Sequence, residues 1–187
     1  MSRIAPLEPP YEPEIQQQFD LRMRGAPPLM LFRVVASNAR AWKKFRAGSL
    51  LDRVPLSERE HSPLSLRERE IIIDRTCALT RCEYEWGVHI SAFGKAAELT
   101  EAQIRATVLE GAEASCWSAP EQVLIATVDA LHLRATLSEG EFRALSAHYD
   151  DAKIFEIILL CGFYRTVSYL ANGLDLRLEK TAARFPS

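Results

Sequence analysis

The sequence predicts an all-α protein of about eight helices. From Pro28 onward the apolar residues recur at spacings of three and four, which is the period of an amphipathic helix. No sustained alternation of apolar and polar residues, the pattern of a half-buried strand, interrupts this spacing. Capping boxes, in which Ser or Thr is followed three residues later by Glu or Gln, recur at helix-length intervals.

The capping boxes predict where helices begin. In each box the Ser or Thr side chain binds a backbone N–H three residues on, and the Glu or Gln side chain reaches back. A single match is weak evidence, whereas a series at these intervals favours a helix after each one. The boxes are Ser57–Glu60, Ser65–Glu68, Thr80–Glu83, Thr100–Gln103, Ser118–Glu121 and Ser138–Glu141.

The N-terminal part, residues 1–28, is predicted to be a proline-rich extended arm with a short helix. That helix runs from about Pro13 to Arg24 and is ended by Gly25. The apolar residues from Leu29 to Leu51 then describe one or two amphipathic helices.

The C-terminal part is predicted to contain one long helix. Asp150 or Asp151 caps its start, and it runs to Asn172 with Gly173 just beyond its end. All predicted helices belong to a single domain, residues 1–187.

The composition is that of an ordinary soluble domain. The 187 residues include 23 Lys+Arg and 25 Asp+Glu, a formal charge of −2, which argues against general nucleic-acid binding. No apolar run is long enough to span a membrane, and the N-terminus has no apolar export signal, so we expect a cytoplasmic location and no membrane partner.

Cysteine usage fits a reducing compartment. In the absence of an export signal the four cysteines should be free thiols, and Cys77, Cys116 and Cys161 are expected to pack in the core. No pair has C-x-x-C spacing and the histidines are scattered, so no structural metal is expected.

The densest cluster of reactive side chains follows Thr80. With Thr80 as N-cap, one narrow stripe of the helix would hold Cys82, Glu85, Trp86 and His89. Glu85 and His89 are spaced i,i+4, close enough to hydrogen-bond and to orient the imidazole. Such a helix face more often serves only to pack in the core. A carboxylate on an apolar stripe, however, is costly to bury unless it is paired with another group or has a role in catalysis or binding.

The ionisation of Cys82 is left open by the sequence. A helix N-terminus favours the thiolate, whereas Glu83 and Glu85 disfavour it. Glu70 lies in the alternating-charge run Arg67–Glu70, which by itself indicates a solvated surface.

Glu70 and this cluster together form a motif with a defined spacing. Eleven residues separate Glu70 from Cys82, and six separate Cys82 from His89. Together with its flanking residues, this motif makes the core segment 64–106 resemble the carboxymuconolactone decarboxylase / alkylhydroperoxidase D (AhpD-like) superfamily. That family's signature is Glu, eleven residues, then Cys-x-x-Cys-x-x-x-His, and Glu85 occupies the position of its second cysteine.

The resemblance to the decarboxylase branch, which dispenses with the cysteine pair, implies cofactor-free acid/base chemistry on small lactones and oxo-acids. Glu85 and His89 would be catalytic, with Glu70 as the outer member of a proton relay, connected through a water or a bent connection. Tyr84 and Trp86 would line the substrate pocket. The family fold also implies an AhpD-like helical domain and a homo-oligomer, either a dimer, a trimer or a hexamer.

Two alternatives remain open. In the peroxidase branch both cysteines form the redox couple, and here Cys82 would be oxidised to a sulfenic acid that Cys77 or an external thiol resolves. The third hypothesis is a non-catalytic oligomeric family member, in which the pocket has collapsed and Glu85 and His89 bind only each other.

Overall fold

The computed structural model describes residues 2–48 and 62–187. These residues form nine α-helices and a 3₁₀ turn at Gly111–Glu113, with no strand among them, and they confirm the all-α prediction. The α-helices are α1 (Pro13–Met23), α2 (Met30–Val35), α3 (Ala39–Gly48), α4 (Leu66–Leu79), α5 (Glu83–Phe93), α6 (Glu101–Leu109), α7 (Ala119–Arg134), α8 (Glu139–Ser146) and α9 (Asp151–Gly173).

Most predicted helix starts are confirmed. The boxes that begin at Ser65, Thr100, Ser118 and Ser138 precede α4, α6, α7 and α8. The Asp150 carboxylate accepts from the Lys153 backbone N–H at 2.9 Å and caps α9.

Two sequence predictions fall partly outside the described residues. The box at Ser57 lies outside them altogether. The apolar stretch that starts at Leu29 forms two helices, α2 and α3, while Leu50 and Leu51 also lie outside the described part.

Gly173, which was expected just beyond α9, is instead its last residue.

The predicted cap at Thr80 is wrong, because Thr80 ends α4 instead of starting α5. Its hydroxyl donates to the carbonyl oxygen of Thr76 at 2.9 Å, the back-bonding that Ser and Thr hydroxyls make within a helix. Arg81 then takes a left-handed conformation with φ 54°, which breaks the helix. Cys82 is the N-cap of α5, so it precedes the first turn.

Helix α4 lies at the centre of the molecule and packs against α5, α6, α7 and α9. Ile71, Ile72 and Ile73 are completely buried, so α4 has no solvated face in this region. Glu70 and Asp74 are therefore buried as well, with 1% and 0% of their surface exposed. The expectation that Glu70 lies on the surface is wrong, because charge alternation along the chain does not report burial on every side of a central helix.

Both ends of the chain are tied to the helices. The Arg3 backbone N–H donates to the Leu174 carbonyl at 2.8 Å. The C-terminal strap, residues 176–187, crosses α5, where the Ala183 N–H donates to the Gly87 carbonyl at 3.2 Å. A Cβ at Gly87 would lie 2.2 Å from the Ala183 oxygen, so the strap can approach α5 this closely only because residue 87 is glycine.

Helix α9 combines a buried face with an exposed one. Among the described helices it is the one long and apolar enough, by length and composition, to cross a membrane, a property that core helices of soluble proteins share. Ile157 and Tyr164 are buried in the core, whereas Phe155 and Leu159 are 70% and 55% exposed. The expected homo-oligomer stays a prediction.

Candidate active site

His89 is held by a carboxylate from the neighbouring helix. It lies on α5 with 4% of its surface exposed, and its ring nitrogen Nδ1 is 2.8 Å from Glu70 Oε2 on α4. The turn at Arg81 sends α5 back along α4 and brings these two residues into direct contact. No water or bent connection is needed between them, contrary to the expectation from the sequence.

The second carboxylate comes from the same helix, one turn before His89. Glu85 Oε1 lies 3.4 Å from His89 Nε2, as the i,i+4 spacing predicts. The other oxygen, Glu85 Oε2, is buried and has no hydrogen-bond partner among the described residues. His89 therefore lies between two carboxylates, and only Glu70 makes a short hydrogen bond to it.

The charges around His89 decide its protonation state. Burial by itself would lower the pKa of His89, but the adjacent Glu70 and Glu85 carboxylates raise it to about 10. At neutral pH the ring is an imidazolium whose Nδ1–H donates to Glu70 and whose Nε2–H lies on the side of Glu85, 3.4 Å from its Oε1 atom.

Asp74 is a third buried carboxyl group, which the sequence reasoning missed. It lies one turn after Glu70 on α4, and neither of its oxygens has a hydrogen-bond partner among the described residues. Burial first, and then the Glu70 charge, raise the pKa of Asp74 well above its usual value, so these surroundings favour the neutral form of its carboxyl group. The i,i+4 spacing from Glu70 within an otherwise apolar run was the signal that could have identified it.

Glu85 and His89 face a cavity of about 210 Å³. The other residues that line it are mostly apolar and aromatic, and they come from α1, α2, α3, α5 and α9. The N-terminal helices thus complete a pocket whose two catalytic candidates, Glu85 and His89, lie on α5. The apolar residues that line it include Met23, Phe32, Phe45, Phe93, Phe163 and Val167.

The predicted stripe on α5 is divided between different environments. Glu85 and His89 line the cavity, whereas Tyr84, Trp86 and Cys82 are not among the residues that line it. The Tyr84 hydroxyl donates to Glu179 in the strap at 2.6 Å and accepts from the Leu31 N–H at 3.0 Å.

Trp86 serves packing. Its indole N–H donates to the Thr107 hydroxyl at 3.0 Å, and its ring meets Phe185 of the strap edge-on at 5.1 Å. The expectation that Tyr84 and Trp86 line the pocket was based on α5 alone. The strap, which comes from the far end of the chain, occupies the side of α5 on which they lie.

Cys82 is fully buried beside the turn between α4 and α5. Burial raises the pKa of its thiol to about 11, and the Glu85 charge acts in the same direction, although backbone N–H groups of Glu85 and Tyr84 oppose it. The question left open by the sequence is thereby answered in favour of the neutral thiol at pH 7.

The other three cysteines differ in exposure. Cys77 and Cys161 are buried, as expected for core thiols, whereas Cys116 is only partly buried. All four are free thiols. Within the described ranges no group of three or more His, Cys, Asp or Glu side chains is arranged to hold a metal ion.

The comparisons with known proteins concern the family and the fold of the chain. The family model described as carboxymuconolactone decarboxylase matches residues 38–129, a segment that contains Glu70, Cys82, Glu85 and His89. The chain belongs to the carboxymuconolactone decarboxylase family. This family member lacks the C-x-x-C pair, because Glu85 stands three residues after Cys82.

Solved structures share the fold of this family member at low sequence identity. An uncharacterized peroxidase-related protein from Silicibacter sp. TM1040 matches with a TM-score of 0.81 and 18% identity, covering 97% of this chain and 93% of that one. A second such protein, from Ralstonia eutropha JMP134 and described as an alkylhydroperoxidase AhpD core, has a TM-score of 0.79 and 19% identity over 96% and 93% of the two chains.

A third structure is that of a variant of the debrominase Bmp8 in complex with 2,3,4-tribromopyrrole. It matches with a TM-score of 0.74 and 15% identity over 95% of this chain and 92% of that chain. A comparison with curated proteins gives no significant match. The structural matches establish the AhpD-like fold.

Proposed function

We propose that the protein is an enzyme that performs cofactor-independent acid/base chemistry on a small lactone or oxo compound. The observation that carries the proposal is the position of His89, which lines an apolar cavity while its far nitrogen binds Glu70. A fixed, charged imidazolium beside an apolar pocket is suited to stabilise negative charge that develops on a substrate oxygen.

The proposed roles follow from the protonation states. His89 Nε2–H acts as general acid towards a carbonyl or lactone oxygen, since the raised pKa of the ring keeps it protonated at neutral pH. Glu85 lines the same cavity and is placed to remove or return a proton at the neighbouring carbon. Glu70 positions the ring and balances its charge without contacting the substrate.

The family relationships support an enzyme of this class. The chain matches the decarboxylase family model, and the debrominase Bmp8, whose structure was determined with a small ring compound, shares the fold. The collapsed pocket expected of a non-catalytic member is not what the described residues form, since His89 binds Glu70 as well as Glu85 and the cavity is open.

The peroxidase alternative has less support. It requires an accessible thiolate, whereas Cys82 is completely buried and its pKa is raised to about 11. Glu85 also occupies the position of the second cysteine of the family signature, so the cysteine pair of the peroxidase branch is incomplete.

The test is a panel of five-membered lactones and oxo-acids incubated with the protein in D₂O and followed by NMR. We expect turnover of at least one compound, or exchange of its acidic C–H for deuterium. His89→Gln should lower the rate about 100-fold or more, the usual contribution of a general acid, whereas Cys82→Ser should retain most of it.

Circular dichroism on both variants controls for folding. An inactive Cys82→Ser together with an active His89→Gln would contradict the proposal, and so would a wild-type protein that neither converts nor exchanges any compound of the panel.

A further inference from the structure

The size of the cavity limits what it can hold. An apolar cavity of about 150 Å³ holds a benzene ring. The cavity beside His89 measures about 210 Å³, so it has room for one ring with a few substituents. Four phenylalanine side chains, Phe32, Phe45, Phe93 and Phe163, line it, and such walls favour a flat apolar body.

The polar end of the cavity has an unsatisfied acceptor. Glu85 is 6% exposed and lines the cavity, and its Oε2 atom is buried without a hydrogen-bond partner among the described residues. Leaving a buried carboxylate oxygen unpaired is unfavourable, and a hydroxyl or N–H group on a ligand would satisfy it. The acceptor therefore points to a ligand that donates a hydrogen bond.

The charges around the polar end disfavour an anion there. Glu85 lines the cavity and Glu70 lies directly behind His89, so two carboxylates accompany one imidazolium. A ligand carboxylate at this end would be repelled by Glu85 at short range in a poorly solvated site. The Arg22 guanidinium also lines the cavity, but it lies over the Phe32 and Trp42 rings, 6.0 and 5.9 Å from their centroids.

We infer that the site takes an uncharged, single-ring compound that carries a hydroxyl or N–H group, such as a phenol, an N–H heterocycle or a hydroxylactone. The ring lies among the phenylalanine side chains, and the donor group binds Glu85 Oε2 next to His89 Nε2. The inference rests on the proposed function for the identity of the site, and it narrows the substrates to neutral members of the lactone and oxo-compound class or their phenolic relatives.

The test is equilibrium binding to the full-length protein at pH 7, measured by ligand-observed NMR and calorimetry. Three probes of similar size separate the contributions: 4-methylphenol carries the donor, toluene lacks it, and 4-methylbenzoate carries a negative charge. We expect 4-methylphenol to bind at least about 10-fold more tightly than either of the others, the scale of one hydrogen bond to a charged acceptor.

Two variants and one control locate the binding. Glu85→Gln removes the negative charge, so 4-methylphenol should lose part of its advantage and 4-methylbenzoate should gain affinity. Ala92→Trp adds bulk at an exposed residue that lines the cavity and should weaken all three probes. Ala102→Trp adds the same bulk at an exposed position of α6 that does not line the cavity, and it should change nothing.

The outcomes separate this inference from the proposed function. Tighter or equal binding of 4-methylbenzoate, no preference over toluene, or binding unaffected by Ala92→Trp would overturn the inference even if lactones are turned over. Selective binding of 4-methylphenol by a protein that converts no compound of the lactone panel would leave the inference standing while the proposed chemistry fails.

Discussion

Two reactive centres lie about two turns apart, one at the start of α5 around Cys82 and the other around His89, and their side chains have opposite electrostatic surroundings. At the His89 centre, burial is accompanied by charged partners, so the imidazole keeps its proton and its pKa rises to about 10. At the thiol turn, made of Cys77, Arg81 and Cys82, the Arg81 side chain is exposed, and burial raises the pKa of Cys82 to about 11. Both centres are protonated at pH 7, yet only one of them is charged.

A single residue, Glu85, contributes to the protonation state of both centres. Glu85 supplies a negative charge at the position where the family signature has a second thiol. That charge stabilises the His89 imidazolium and simultaneously disfavours a thiolate at Cys82. The same residue thus supports acid/base chemistry and opposes thiol chemistry, which is why the two functional hypotheses are not equally compatible with this chain.

The largest expected effect is on stability when Glu70 loses its charge. Glu70→Gln leaves the buried His89 without its short ion pair, so the pKa of His89 should fall and the free energy of unfolding at pH 7 should drop by about 3 kcal/mol. Urea denaturation measures the loss, and a histidine NMR titration measures the pKa. Glu110→Gln, an exposed control, should stay within about 0.5 kcal/mol of the wild type. An unchanged His89 titration in Glu70→Gln would show that Glu70 does not determine its charge.

The second prediction concerns the thiols. Because the pKa of Cys82 is about 11 and the thiol is fully buried, iodoacetamide at pH 7 should label the partly exposed Cys116 at least about 100-fold faster than Cys82. Peptide mass spectrometry measures both rates, and dilute hydrogen peroxide should leave Cys82 unmodified. Rapid alkylation or sulfenic acid formation at Cys82 in the native protein would remove the contrast and favour the peroxidase alternative.

The sequence was sufficient to predict those contacts of the His89 centre that lie within a single helix. The Glu85–His89 pair follows from the i,i+4 geometry of a single helix, and the capping boxes at Ser65 and Thr100 depend on residues three positions apart. Such features are determined by backbone geometry within one element, so they can be inferred before any packing is known.

The remainder of the site depends on contacts between distant parts of the chain. The Glu70–His89 bond joins residues 19 positions apart and requires the helix break at Arg81. No turn motif in the sequence predicts that break. The bond between Tyr84 and Glu179 spans 95 residues and depends on the path of the strap. The cavity walls from α1 to α3 are of the same kind, because they exist only after those helices pack over α5.

The third prediction is a pH dependence of stability. The pKa of His89 in the folded protein, about 10, lies above the usual histidine value of 6.5. The stability that its ion pairs contribute is therefore fully present below pH 6.5 and is lost as the pH rises towards 10, at up to about 1.4 kcal/mol per pH unit. Urea denaturation from pH 6.5 to 8.5, below the usual thiol range, should show this decline in the wild type. The decline should be much weaker in His89→Gln, and equal slopes in the two proteins would mean that His89 is not a buried cation.

The smallest expected effect is that of substituting Asp74. The substitution tests whether burial without a partner raises the pKa of a carboxyl group, as it raises the pKa of the Cys82 thiol. The pKa of Asp74 is raised above 3.8, so the contribution of this group to stability is fully present below pH 3.8 and declines as the pH rises above it. Asp74→Asn keeps the shape and removes the ionisable group, so it should stabilise the protein at pH 8, where Asp is ionised when unfolded. At pH 3.5 the gain should shrink, because the unfolded Asp74 is then largely protonated too. A loss of stability at pH 8 would instead mean that Asp74 is ionised and paired with His89, which would make it part of the charged centre and not a counterpart of the buried thiols.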